Sequence, residues 1–141
     1  MFRTIDETMA VAPQITAEDV ATAAKAGYRV IVNNRPDGED PGAPQGAEIE
    51  AAARAAGLRY VAIPVTHAGF SQPQVEAMAA TLRDAGGPVL AYCRSGTRSA
   101  NLWALARASM GDRADELIGK AGGAGYDVSG LRATLDMLGS K

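Results

Sequence analysis

The stretch Pro88-Val-Leu-Ala-Tyr-Cys93-Arg-Ser-Gly-Thr-Arg98-Ser99 does most to limit what this chain can become. A short apolar run of strand composition ends on the only cysteine of the sequence. A loop of small residues follows, and an alanine- and leucine-rich segment of helical period begins directly behind it. Strand, loop and helix start in that order form an anion cradle: the peptides after Cys93 can turn their N–H groups inward, and the first helical turn adds unpaired donors and the positive end of its dipole. A thiol placed there is expected to ionise and act as a nucleophile. Taken alone, a cysteine closing an apolar strand reads better as a small core hydrophobe. The surroundings reverse that reading. Gly96 permits a positive φ, Arg98 offers a two-pronged grip on an oxyanion, and Ser99 is placed to cap the helix or donate to the sulfur. Arg94, Ser95, Gly96 and Thr97 make up the substrate-binding ring, although side chains of such rings generally face away from the anion.

The rest of the chain alternates between strand and helix signals. Phe2–Ile5 and Met9–Ile15 are short apolar patches that read as a small edge strand or hairpin. Thr16-Ala-Glu-Asp19 opens a helix that runs to Gly27, with Val20, Ala23 and Ala24 inward. Tyr28–Asn33 is a strand by its β-branched residues, and residues 34–44 hold too much Pro, Gly and Asp to be other than loop. A helix over Gln45–Ala56, a strand over Leu58–Pro64, a loop over Val65–Ser71, a helix over Gln72–Asp84 capped by Ser71, and the strand Pro88–Tyr92 complete the order. This alternation predicts an α/β fold with a parallel sheet and right-handed crossovers, whose ligands sit outside the carboxyl ends of the strands.

Three loops then converge on one place: 33–44, 65–71 and 93–98. Arg35 and Arg94 are expected to add positive charge at the mouth of the site. His67, the single histidine, is a candidate substrate contact or proton donor, and Asp37 is the other candidate acid. Glu39 and Asp40 read chiefly as turn carboxylates in contact with water. Behind the loop, Leu102, Leu105, Ala106 and Met110 form one helical stripe, with Trp103 as core packing. Two short helices over 113–122 and 128–138, joined by a turn at Gly122-Gly-Ala-Gly125, end the chain.

At 141 residues the whole of 1–141 is expected to be one domain with one core. The net charge of −2 and scattered basic residues argue against nucleic acid or an anionic membrane as partner. No stretch approaches the length of a membrane span, no leader-like segment opens the chain, and one cysteine makes no internal disulfide; the expected location is the cytoplasm. One His, one Cys and no ligand spacing among the carboxylates argue against a metal, and the glycine cluster does not match a dinucleotide fingerprint, so no cofactor is expected.

Taken together, the blocks Val11–Asp19, Val30–Glu39, Ile63–Thr66 and Ala91–Ser99 resemble the bacterial phosphatase-like domain found alone or at the front of beta-lactamase-hydrolase-like proteins. That family is similar in fold to the tyrosine and dual-specificity phosphatases. The resemblance implies a parallel four- to five-stranded sheet flanked by helices, a cysteine loop before a central helix, and a helical C-terminus. By position it implies Cys93 as nucleophile, Arg98 as oxyanion clamp and Ser99 as the hydroxyl that assists the sulfur.

Two features depart from the phosphatase pattern. Phosphatases of that fold carry Cys-x-x-Gly-x-x-Arg, whereas one residue fewer separates Gly96 from its arginine here, a spacing that resembles the rhodanese sulfurtransferases. In addition, Val65–Ser71 contains no Asp or Glu to protonate a leaving oxygen. These departures point first to a sulfurtransferase. Cys93 would take a sulfane sulfur from thiosulfate or a persulfide and pass it to a thiol or cyanide, in association with an enzyme of sulfur metabolism. The alternative is a phosphatase that hydrolyses a phosphate ester through a phosphocysteine. A third reading is a non-catalytic module that binds an oxyanion with the same loop.

Overall fold

The computed structural model describes residues 2–139. Its strands are β1 (Arg3–Asp6), β2 (Met9–Ala12), β3 (Val30–Asn33), β4 (Arg59–Ala62) and β5 (Val89–Tyr92). Every residue of β2, β3 and β5 is buried. A parallel strand covered on both faces has no polar side to show, and these three accordingly read as nearly continuous apolar runs. β5 pairs in parallel with β2 on one side and β3 on the other, β3 pairs in parallel with β4, and β1 runs antiparallel to β2. The sheet order is β1-β2-β5-β3-β4.

The two N-terminal segments form the expected hairpin, β1 antiparallel to β2. Only β1 lies at the edge, because Met9-Ala-Val-Ala fills the place beside β5 that a fully apolar parallel partner must take.

Alternation within the strands sorts the helices into two layers. Ala10, Ala12, Ile31, Leu90 and Tyr92 face α1 (Ala17–Lys25) and α2 (Gly46–Ala55). The intervening residues, among them Val11, Val32 and Ala91, face α3 (Gln72–Asp84), α4 (Thr97–Ser109), α5 (Ala114–Gly123) and α6 (Arg132–Gly139). Thr16 with Asp19, and Ser71 with Gln74, form reciprocal capping boxes that fix where α1 and α3 begin.

Helix α4 departs from the expected single stripe. Ala100, Leu102, Trp103, Ala104, Leu105, Ala106 and Ala108 are all buried, so apolar residues occupy every side of it. The reason is its position between the sheet and the ring of α3, α5 and α6. A helix enclosed in this way is apolar all round. Met110, assigned to the stripe from sequence, lies just past its end and is only partly buried.

The parallel strands also end level. Ala12, Tyr92, Asn33 and Ala62 are register partners across β2, β5, β3 and β4, and the loops that follow them rise from one rim. No described helix is long and apolar enough to cross a membrane.

Candidate active site

Cys93 follows β5 directly, and its sulfur accepts a hydrogen bond from the Gly96 N–H at 3.1 Å. Gly96 is the N-cap of α4 with φ 93°, a left-handed conformation that glycine adopts without a Cβ penalty. It closes the four-residue turn, residues 93–96, that takes the chain from β5 into α4. Ser99 does not cap α4, contrary to expectation, because the helix already begins at Thr97.

Nor does Ser99 bond to the sulfur. Its buried hydroxyl donates to Asn34 Oδ1 at 2.7 Å. Asn34 in turn donates from Nδ2 to the Ile63 carbonyl at 2.9 Å, while its backbone N–H donates to Tyr92 O and its carbonyl accepts from Val65 N–H. One fully buried asparagine thus ties the ends of β3, β4 and β5 to the first turn of α4. An amide suits this place, since it can donate to a carbonyl and accept from a hydroxyl at once.

The guanidinium of Arg98 reaches across to the 34–44 loop. Nη1 and Nη2 donate to the two Glu39 oxygens at 2.7 and 2.9 Å, and Nη1 also donates to Val65 O at 2.7 Å. Arg35 adds a third donor to Glu39 at 3.0 Å and a bond to Gln14 Oε1 at 2.9 Å. Hydrogen bonds from Arg98, opposed by partial burial and reinforced by Arg35, hold the Glu39 carboxyl at about 2. The same pairing with Glu39 raises the basicity of Arg98.

A group with a depressed pKa contributes stability above its unfolded value and loses it as pH falls through the folded one. The Glu39 contribution should therefore disappear between about pH 4.5 and 2. Urea unfolding of wild type and Glu39→Gln at successive pH values checks this: the gap between their midpoints should narrow over that interval. A gap independent of pH would count against the ion-pair account.

Arg35, Glu39, Asp40, His67, Arg94 and Arg98 line a cavity of about 310 Å³. All three expected loops contribute to it. Arg94 is exposed, and His67 stands on a tight turn closed by the Thr66–Gly69 bridge. Ser95 and Thr97 are exposed and bond to each other, Oγ to Oγ1 at 3.1 Å. Cys93 has no exposed surface, so an electrophile reaches its sulfur only when a covering group moves aside.

Asp37 stands elsewhere, which removes it as an acid for this cavity. It accepts from Gly46 N–H at 2.8 Å, supplying the cap that Gln45, the N-cap of α2, does not provide. No group of three or more His, Cys, Asp and Glu suited to hold a metal occurs among the described residues.

Sequence reasoning missed Glu39, Asn34 and Tyr126. Glu39 carried no signal, being one of several carboxylates in a turn-rich loop. Asn34 carried one, because a second asparagine directly after a buried strand demands partners. Tyr126, whose hydroxyl donates to Ser95 O at 3.0 Å, follows a helix-ending glycine and gave no other sign.

Known proteins bear on this geometry. Residues 1–110 match the family described as beta-lactamase hydrolase-like protein, phosphatase-like domain. The chain belongs to that family. It is 35% identical over 125 residues to a beta-lactamase hydrolase-like protein of Xylella fastidiosa, an alignment that takes in 88% of the chain and 29% of the relative. The chain thus spans less than a third of that relative's length. Its fold matches that of a Neisseria meningitidis Z2491 protein described as a candidate phosphatase, with TM-score 0.81, 36% identity and 96% of each chain covered. The P. aeruginosa protein TpbA, in a structure of its complex with pTyr, shares the fold alone, with TM-score 0.63, 19% identity, and 95% and 89% of the two chains covered. The family therefore has the phosphatase-like α/β architecture expected from sequence. The sulfur-transfer expectation finds no support in these likenesses, and the phosphatase alternative fits them better.

Proposed function

We propose that the chain is a cysteine-dependent phosphatase acting on a phosphate monoester. The observation that carries this reading is the Cys93 sulfur held by a loop amide at the start of α4, beside a cavity lined by three arginines, in a fold shared with phosphatases. The Cys93 thiolate attacks phosphorus, the ester P–O bond breaks, and the departing oxygen takes a proton. Water then attacks the phosphocysteine, the S–P bond breaks, and inorganic phosphate leaves with the thiolate restored. Arg98 and the first amides of α4 stabilise charge on the phosphoryl oxygens. His67 on the cavity wall is assigned the proton transfer; Glu39 is unsuitable because Arg98 and Arg35 keep it ionised.

A second reading, sulfur transfer, is favoured by two specific observations. Only four residues separate Cys93 from Arg98, and both terminal nitrogens of Arg98 are already committed to Glu39. In that chemistry the Cys93 thiolate attacks the outer sulfur of thiosulfate, the S–S bond breaks and sulfite leaves, so no acid is needed. An acceptor thiolate then takes the outer sulfur and returns the Cys93 thiolate.

One comparison separates the two. The protein is offered p-nitrophenyl phosphate, with nitrophenolate release followed, and separately thiosulfate, with intact mass recorded. The phosphatase reading expects catalytic hydrolysis and no lasting gain of one sulfur. A stable one-sulfur adduct with no ester hydrolysis would replace it with the sulfur-transfer reading.

A further inference from the structure

The loop that holds Cys93 contains a peptide whose two ends are both engaged. The Ser95 carbonyl accepts from Tyr126 Oη at 3.0 Å. The N–H of that same peptide, on Gly96, donates to the Cys93 sulfur at 3.1 Å. In a trans peptide the C=O and N–H point in opposite directions, so anchoring the oxygen on one side directs the hydrogen to the other. Glycine does not make this choice by itself. Rotating the Ser95–Gly96 peptide by half a turn changes the sign of φ at Gly96, and glycine accepts either sign. The rotated peptide would aim carbonyl lone pairs at the sulfur and oppose charge on it.

Tyr126 is built for its place. Helix α5 ends in a Schellman turn: Tyr126 N–H donates to Ala121 O at 2.9 Å and Gly125 N–H to Gly122 O at 3.0 Å, with Gly125 at φ 95°. That turn throws the side chain of Tyr126 back over the cysteine loop. Arg3 then holds the ring from the far side, its guanidinium 5.9 Å from the ring centroid and its Nη1 donating to Ala124 O at 3.4 Å. On the near side the phenol lies directly against Gly96, where any Cβ would overlap the hydroxyl. Burial, opposed by Arg3 and assisted by the Cys93 sulfur, raises the phenol's pKa, which keeps it a donor.

We propose that Tyr126 is a positioning residue for Cys93, fixing the Ser95–Gly96 peptide so that its N–H faces the sulfur. The residue lies outside the span 1–110 that matches the family, and its role is the same whether phosphorus or sulfur is transferred. Tyr126→Phe keeps the ring and removes only the donor. Losing one hydrogen bond that orients another should slow alkylation of Cys93 by iodoacetamide at neutral pH by about three- to tenfold, with the thermal midpoint nearly unchanged. Alkylation uses no substrate, so its outcome does not depend on the phosphatase reading.

Tyr126→Ala separates orientation from packing. If the hydroxyl positions the peptide, the Phe variant is already slow; if only the ring matters, Phe reacts like wild type and Ala alone is slow. Wild-type reactivity in Tyr126→Phe overturns the proposal. Should that variant melt below the assay temperature, amide exchange of Gly96 compared between wild type and Tyr126→Phe, well below both midpoints, decides: faster exchange at Gly96 in the variant, with the amides of α4 unchanged, supports the proposal, and equal exchange refutes it.

Discussion

On the phosphatase reading, Cys93→Ser is expected to reduce hydrolysis of p-nitrophenyl phosphate by about 10³-fold or more while leaving the fold intact, since removal of a covalent nucleophile costs that much or more in enzymes that depend on one. The substitution is nearly isosteric in a site with no exposed surface, and the serine hydroxyl can still accept from Gly96 N–H. What it cannot do at neutral pH is ionise. Steady-state kinetics with a thermal melt on the same sample provide the check. Activity within tenfold of wild type would mean that Cys93 is a packing residue and the loop an anion site of another kind.

Arg98→Lys is expected to cost about 10²-fold in kcat/KM, close to the loss from Arg98→Ala, the scale seen when one preorganised oxyanion donor is removed. Lysine retains the charge but is a point donor on a flexible stem. It cannot span both oxygens of Glu39 as Nη1 and Nη2 do, so it would neither stay on that carboxylate nor present two parallel bonds to a phosphoryl group. A fully active lysine variant would show that Arg98 serves the fold alone. Comparison with Glu39→Gln sharpens the result. If Glu39 aims the guanidinium, that variant should fall between wild type and Arg98→Lys.

The parts of this molecule legible from sequence were those governed by local chemistry. The helix starts at Thr16 and Ser71, the glycine stop after α2, and the apolar strands β3 and β5 follow from residues close together in the chain. So does the convergence of the three loops, because parallel strands place their carboxyl ends on one side. The details of the site depend on pairs far apart in the chain. Ser99 finds Asn34, Arg98 finds Glu39, and Ser95 finds Tyr126. No local pattern tells which of several loop carboxylates meets an arginine 59 residues away. Asp37 and Glu39 differ by two positions, yet one caps α2 and the other clamps Arg98. The interior place of β2 was hidden for the same reason, as four small apolar residues fit an edge or a centre until the partner is known.

Strand β1 also imposes an order in time. Arg3 and Asp6 are held by Ala124 and Lys120, residues synthesised more than a hundred positions later, and β2 waits for β5 until β3, β4 and α3 have been made. Segments that emerge first during translation fold only when their partners have followed, and closure over long separations is slow. The cysteine loop is subject to the same delay: its anchor, Tyr126, follows Ser95 by 31 positions, so the peptide beside Cys93 is fixed only once α5 has packed.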